Sequence, residues 1–336
     1  MFRVLMFAVN AVVPILLLLA LGYFLARVGF LSDKFLNNGN SLVFKLLLPM
    51  TIFHNVYKVN GIDNFNWALV VFCLAVILFL FFIGIVFARF FVKDPLAKGP
   101  FIQCVFRSNF AIIGLPLAEA LGGTQGAAMA AILSAFTIPL FNVLAVIVLT
   151  VYSGSEKKHS VGKIIRDIIT NPLIIAAVGG LLCLLIRSLL PTDASGVPVF
   201  TIQNQLPFVF KAIVWLHQSS GPLALIIMGG LLDFSQVRSK LNYILWGSVF
   251  RIGIAPIIGL TAAIACCNLG ILTCGPGEYG ALIALFGSPV AVSSAIMATS
   301  MGNDGELARQ YVVWTSVGSM ASLLLISVSL RLMGLL

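Results

Sequence analysis

The chain has 336 residues, of which 60% are hydrophobic and only 9% are charged. Soluble domains usually carry about a quarter charged residues, so this composition excludes a soluble globule and indicates an integral membrane protein. The net charge of +9 does not indicate a nucleic-acid partner, because the basic residues are scattered over separate connections instead of lying on one face or arm.

Apolar segments long enough to cross the ~30 Å hydrocarbon core as helices recur along the chain. We place ten spans at residues 7–30, 40–58, 66–92, 99–121, 126–152, 164–189, 206–232, 241–265, 279–301 and 306–331. The first span follows Arg3 and has no clear small-residue cleavage site, so we expect a membrane helix there and not a signal peptide. The sequence therefore predicts an all-α integral membrane protein with ten transmembrane helices.

Basic residues are divided unequally between the two sides of these spans. Twelve lie in the odd-numbered connections, and five lie in the even-numbered connections and the termini. Because basic residues resist translocation, the richer side is expected to be cytoplasmic. This predicts a multi-pass protein of the plasma (inner) membrane with both termini on the extracytoplasmic side.

The chain repeats one sequence feature. Ser108 is matched by Ser288, 180 positions later, and three further identities occur at the same shift. The polar connection 153–160 divides the ten spans into two sets of five, and a second set of five must enter the membrane from the opposite side. We therefore predict two inverted five-helix repeats, residues 1–155 and 156–336.

The matched segments 107–116 and 287–294 place polar and helix-interrupting residues inside the fourth and ninth spans. Pro116 and Pro289 lack an amide proton and disfavour helix in the residue before them, so both are predicted to break their helices. Inside a membrane, the amides and carbonyls that a helix break frees must form hydrogen bonds with protein groups or with water in a cavity. Broken helices that cross near the midplane present N-termini with free N–H groups, which predicts a site for an anion.

The candidate substrate contacts are the polar or helix-interrupting residues of these segments and one asparagine of the fifth span: Arg107, Ser108, Asn109, Asn142, Ser288, Pro289, Ser293 and Ser294. The Asn109 amide both donates and accepts, so it either holds a carboxylate or only completes the broken backbone. Arg107 either pairs with a carboxylate or supports the break. The serine hydroxyls either reach the substrate or bond to their own helices.

The positions of the acidic residues indicate which charge the site is expected to bind. All eleven map to connections or span ends, whereas a proton antiporter of related architecture is expected to hold a carboxylate near the midplane. The site is therefore expected to take an anion, while coupling to a sodium ion or to a proton carried by His217 stays open.

We predict no cofactor and no metal site. The chain also lacks the motifs of a nucleophile elbow or a phosphate loop, so we do not expect an enzyme.

Other residues leave alternatives open. Lys45 lies inside a predicted span and either snorkels or serves the site, and Arg251 either caps internal carbonyls or serves the site. Cys266, Cys267 and Cys274 lie near the outward-facing eighth connection, where a disulfide is conceivable but the spacing selects no pairing.

Motifs of one family are spread along the chain: Val13-Pro-Ile with Gly22-Tyr-Phe-Leu-Ala-Arg27, Phe44-Lys-Leu-Leu-Leu-Pro49, Ser108-Asn-Phe-Ala-Ile-Ile-Gly-Leu-Pro116, Asn171-Pro-Leu with Gly179-Gly, residues 251–256, and Ser288-Pro-Val-Ala-Val. Together they resemble the auxin efflux carrier family, which includes plant PIN-type auxin exporters and bacterial permeases for organic acids. The resemblance implies a fold related to bile-acid sodium symporters, with broken helices four and nine crossing. It also implies that Asn109 and Pro289 lie beside the substrate carboxylate.

The resemblance further implies a scaffold of spans 1, 2, 6 and 7, which pairs into a homodimer, and a moving transport domain of spans 3–5 and 8–10. The third span here lacks the acidic and basic residues of PIN-type proteins, and the chain lacks their long central loop. These departures favour a compact bacterial-type organic-anion carrier over an auxin carrier. The resemblance implies an exporter of a small organic anion, such as a mono- or dicarboxylate, that works by elevator-type alternating access. A sodium-coupled symporter and a membrane ligand sensor are the alternatives.

Overall fold

A computed structural model describes residues 2–58, 66–153, 166, 169–191 and 199–336. Its helices are α1 (Phe2–Arg27), α2 (Asp33–Leu42), α3 (Leu48–Tyr57), α4 (Trp67–Phe91), α5 (Pro95–Phe106), α6 (Leu115–Val151), α7 (Pro172–Leu189), α8 (Ile202–Gln205), α9 (Pro207–Gly230), α10 (Val237–Val249), α11 (Ala255–Asn268), α12 (Pro276–Gly287), α13 (Val292–Ser300) and α14 (Gly305–Leu332). The predicted polar connection 153–160 lies outside the described residues after Ser153, as do Lys157, Lys158 and Lys163.

The all-helical class is confirmed for the described residues, which contain no β-strand. Six helical stretches in that part of the chain are long and apolar enough to cross a membrane: Trp67–Phe91, Pro116–Val151, Pro172–Leu189, Pro207–Gly230, Val237–Asn268 and Gly305–Leu332. The protein is therefore a multi-pass membrane protein. The arrangement of ten spans as two inverted repeats stays a prediction.

Three π-helical turns widen the helices just before prolines. They are Val43–Leu47, Phe110–Gly114 and Phe250–Ile254, and each ends two residues before Pro49, Pro116 or Pro256. Proline cannot bond to the carbonyl four residues earlier and its ring crowds that carbonyl, so one extra residue in the preceding turn lets the helix continue. Pro116 therefore lies in the first turn of α6, and the non-helical residues 107–109 lie upstream of it.

The longest helix, α6, consists of two arms that meet at Gly123. This residue has φ +63° and ψ −155°, a backbone conformation that only glycine adopts readily. The kink lies where the sequence predicts the end of the fourth span and the start of the fifth. Together, α5 and the first arm of α6 cover most of the predicted fourth span, 99–121.

The interrupted helices lie at the centre of the molecule. Residues 277–287 of α12 are all buried, as are residues 99–106 of α5. The first arm of α6 packs against α12 so closely that a Cβ on Gly280 would lie 2.9 Å from the Gly122 nitrogen. Small residues permit this approach of backbones, which is typical of membrane helix interfaces. Helix ends buried in this way are shielded from lipid, so they can be opened without leaving bare backbone in hydrocarbon.

Candidate functional site

The two helix interruptions cross and bond to each other. Residues 107–109 follow α5, and residues 288–291 connect α12 to α13. The Asn109 amide donates to the Pro289 carbonyl over 2.7 Å, and the Ala291 amide donates to the Arg107 carbonyl over 3.4 Å. Ser108 and Val290 form an isolated antiparallel bridge. Each interruption thus satisfies backbone groups that the other one opens.

Beside this crossover lies a cavity of about 320 Å³. One wall comes from the crossover, α13 and the second arm of α6, and the other comes mainly from α3 and α9. Ala291, Val292 and Ser293, at the N-terminal end of α13, line the first wall. The first amides of a helix have no partner within it and carry partial positive charge, so this end favours a negatively charged group.

Arg107 supplies a full positive charge to the same wall. Its side chain is only 4% exposed and lines the cavity. The guanidinium donates to Asn142 Oδ1 at 2.7 Å, Ser293 Oγ at 2.9 Å and Gln103 Oε1 at 3.3 Å, and it also contacts Met297 Sδ. All four partners are neutral, and no carboxylate lines the cavity among the described residues. The charge is therefore held in place without being neutralised.

Asn142 and Ser293 orient the guanidinium. The Asn142 Nδ2 group donates to the Ile138 carbonyl over 2.8 Å, one turn earlier in α6, which directs Oδ1 towards Arg107. Ser293 accepts from the same guanidinium nitrogen as Asn142 does. Because two helices hold this nitrogen, the charge occupies a fixed position at the cavity wall.

Asn109 and Ser108 present polar side chains to the cavity. Both residues are 3% exposed and line the cavity. Among the described residues, the buried Ser108 hydroxyl has no hydrogen-bond partner. The Asn109 side-chain amide can both donate and accept at the cavity wall. An unpartnered buried polar group is costly, and a ligand that bonds to it removes that cost.

The structure thus brings five of the candidate residues to the cavity and leaves three outside it. Ser288 donates its hydroxyl to the Ala284 carbonyl over 2.6 Å and is fully buried. Pro289 contributes only its carbonyl to the crossover, and Ser294 is buried without lining the cavity. Pro116 is exposed in the first turn of α6 and does not line the cavity.

Sequence reasoning missed most of the opposite wall. Thr51 and Asn55 of α3 and Gln218 of α9 line it together with His217. The His217 ring stacks on His54 with a centroid distance of 4.3 Å, and the Nδ1 atoms of both rings are buried without a partner among the described residues. Polar residues inside apolar spans are the signal that would have identified this wall.

The remaining candidates lie away from the cavity. Lys45 is exposed in the first π-helical turn and does not line it. The described residues contain no group of three or more His, Cys, Asp or Glu side chains placed to hold a metal ion. Cys266, Cys267 and Cys274 are all free thiols, and the sulfur atoms of Cys267 and Cys274 lie 2.6 Å apart, so a disulfide in this region stays a prediction. Burial, followed by the hydrogen bond with Cys267, raises the pKa of Cys274 to about 12.

Membrane-length helices around a buried cavity lined by Arg107 define a multi-pass membrane protein with an internal cavity. The chain belongs to the membrane transport protein family, whose model matches residues 7–327. It is also 24% identical to an uncharacterized transporter of Methanocaldococcus jannaschii over 267 residues, which are 76% of this chain and 79% of that protein. These matches confirm the resemblance to auxin efflux carriers and support the assignment of the protein as a membrane transporter.

Proposed function

We propose that the protein is a secondary transporter that exports a small organic anion, such as a mono- or dicarboxylate. The observation that carries the proposal is Arg107, a buried guanidinium at the cavity wall whose hydrogen-bonding partners are all neutral. Burying a charge is costly unless an opposite charge meets it, and a carboxylate matches the planar guanidinium through charge-assisted hydrogen bonds.

Neighbouring groups support a carboxylate in this position. The Asn109 amide and the Ser108 hydroxyl line the cavity, and the buried Ser108 hydroxyl has no hydrogen-bond partner among the described residues. The N-terminal end of α13 adds the partial charge of its free amides. A cavity of about 320 Å³ is at the lower end of the range for ligand pockets, which favours a small ligand.

The position of the cavity supports an elevator-type mechanism. One wall consists of helices assigned to the proposed transport domain, namely the crossover, α6 and α13. The other consists of α3, α7 and α9, which belong to the proposed scaffold. In this mechanism Arg107 and Asn109 carry the anion past the scaffold wall. The inside-negative membrane potential would drive export, at about 2.3 kcal/mol per elementary charge and 100 mV.

A ligand panel tests this function. Purified protein is heated in the presence of acetate, benzoate, malonate or succinate, and of the amide of each acid. We expect at least one carboxylate to raise the melting temperature, with no effect of its amide at the same concentration. Stabilisation by the amides alone, or by none of the compounds, would contradict an anion site.

The same measurement separates the coupling alternatives. Replacing sodium with potassium in the buffer leaves carboxylate binding unchanged if sodium is not coupled, and weakens it if sodium shares the site.

The proposed homodimer and the proposed outward position of both termini are tested separately. The mass of the detergent-solubilised particle reports the first, and accessibility of terminal tags in intact cells reports the second.

A further inference from the structure

Arg251 is the second guanidinium buried at the crossover, and it does not line the cavity. It lies in the π-helical turn Phe250–Ile254, and its side chain is fully buried. It therefore does not contact a ligand in the cavity, and the proposed function assigns no role to its charge.

The guanidinium joins the ends of both interrupted helices. One of its terminal nitrogens donates to the Val105 carbonyl at 3.3 Å, and the other donates to the Phe286 carbonyl. Val105 is the second-to-last residue of α5, and Phe286 is the second-to-last residue of α12. Arg251 thus bonds to equivalent carbonyls on the two helices that end at the crossover.

These carbonyls carry the negative ends of two helix dipoles. The last carbonyls of a helix have no amide partner within it, and each helix end carries roughly half an elementary charge. At a crossover, two negative C-terminal ends therefore lie close to two positive N-terminal ends. For a ligand at the crossover, the opposite ends would largely cancel each other.

We propose that Arg251 is a positioning residue that neutralises the two negative helix ends and so gives the crossover its preference for anions. This inference rests on the proposed anion site. With Arg251 in place, the N-terminal ends and Arg107 dominate the potential that a ligand experiences. The planar guanidinium suits this role because it presents separate donors to two carbonyls from two helices, and its positive charge offsets their negative ends.

The test compares Arg251→Gln and Arg251→Lys with the wild type. Glutamine keeps a donor but removes the charge, whereas lysine keeps the charge. Lys45→Gln is the matched control, because Lys45 is an exposed cation in the π-helical turn before Pro49. The probes are the carboxylate that stabilises the wild type most in the panel above and the amide of the same acid, with affinities measured by calorimetry.

We expect Arg251→Gln to lower the ratio of carboxylate affinity to amide affinity by about tenfold, given the size of charge–dipole effects at partly buried helix ends. Arg251→Lys should retain this ratio within about threefold, and Lys45→Gln should leave it unchanged. A purely structural role would weaken both ligands equally in Arg251→Gln, and that result would overturn the proposal.

Folding of the variants is checked by size-exclusion chromatography before titration. If Arg251→Gln does not fold, Arg251→Lys decides, because loss of the carboxylate preference in a variant that keeps the charge would overturn the proposal. A wild type that binds none of the carboxylates would instead overturn the proposed function and this inference with it. A wild type that binds while Arg251→Gln keeps its full preference would overturn this inference alone.

Discussion

The two interruptions at the crossover use the same backbone arrangement but differ in their side chains. Residues 107–109 present a guanidinium, a hydroxyl and an amide to the cavity. In the other interruption, Ser288 bonds to its own helix and Pro289 contributes a carbonyl, so the cavity receives mainly the amide end of α13 and Ser293. The two interruptions thus share the same crossing of the backbone, while most of the polar side chains that face the cavity beside it come from residues 107–109.

This difference predicts unequal effects of substitutions, and the largest is expected at Arg107. Arg107→Gln removes the uncompensated charge, and carboxylate affinity should fall roughly 30- to 100-fold, because hydrogen bonds to charged groups contribute about 1.5–3 kcal/mol. Calorimetric titration of the purified variant measures the loss. Arg331→Gln, at an exposed position near the end of α14, is the control with the same charge change. Equal affinities in both variants would show that the first interruption holds no anion.

A smaller effect is expected at Asn109. Asn109→Ala removes a neutral donor and should weaken carboxylate binding roughly fivefold, or about 1 kcal/mol. Asn109→Asp places a negative charge beside the ligand and should weaken it further. Asn204→Ala, which changes an exposed asparagine of α8, is expected to bind as the wild type does. If Asn109 only completed the backbone, Asn109→Ala would bind normally, since the backbone bond to Pro289 remains.

The smallest effect is expected at Ser293, at the start of α13, and it is compared with Ser288 in the interruption before that helix. Ser293→Ala removes one acceptor from Arg107 and should weaken carboxylate binding roughly two- to threefold through poorer orientation of the guanidinium. Ser288→Ala removes a bond to its own helix and should leave affinity unchanged while lowering the melting temperature slightly. A larger loss of affinity in Ser288→Ala than in Ser293→Ala would place the ligand at residues 288–291 and not beside Arg107.

Much of the site was readable from the sequence because its residues violate local rules. Arg107 and Asn109 are polar residues inside an apolar span. The matching interruption 180 residues later is also visible in the sequence alone. The position of the first break was harder to place. Pro116 predicts a break at its own position, but the π-helical turn at Phe110–Gly114 absorbs the proline, and the chain opens at residues 107–109 instead.

Other features depend on contacts between distant parts of the chain. Ser288, Ser293 and Ser294 are equivalent candidates in the sequence, and only packing decides which hydroxyl meets Arg107. Arg251 caps carbonyls 35 and 146 residues away, so no local pattern reveals its partners. Asn55 and Gln218 reach the cavity only because α3 and α9 pack together opposite the crossover.

Transport by reconstituted protein tests the central claim most directly. Proteoliposomes loaded with the carboxylate that stabilises the wild type are given an inside-negative potential, and release of labelled carboxylate is followed over time. We predict potential-dependent release by the wild type and by Ser288→Ala, and release at the rate of protein-free vesicles by Arg107→Gln. Undiminished release by folded Arg107→Gln would contradict a carrier that holds its anion at the crossover.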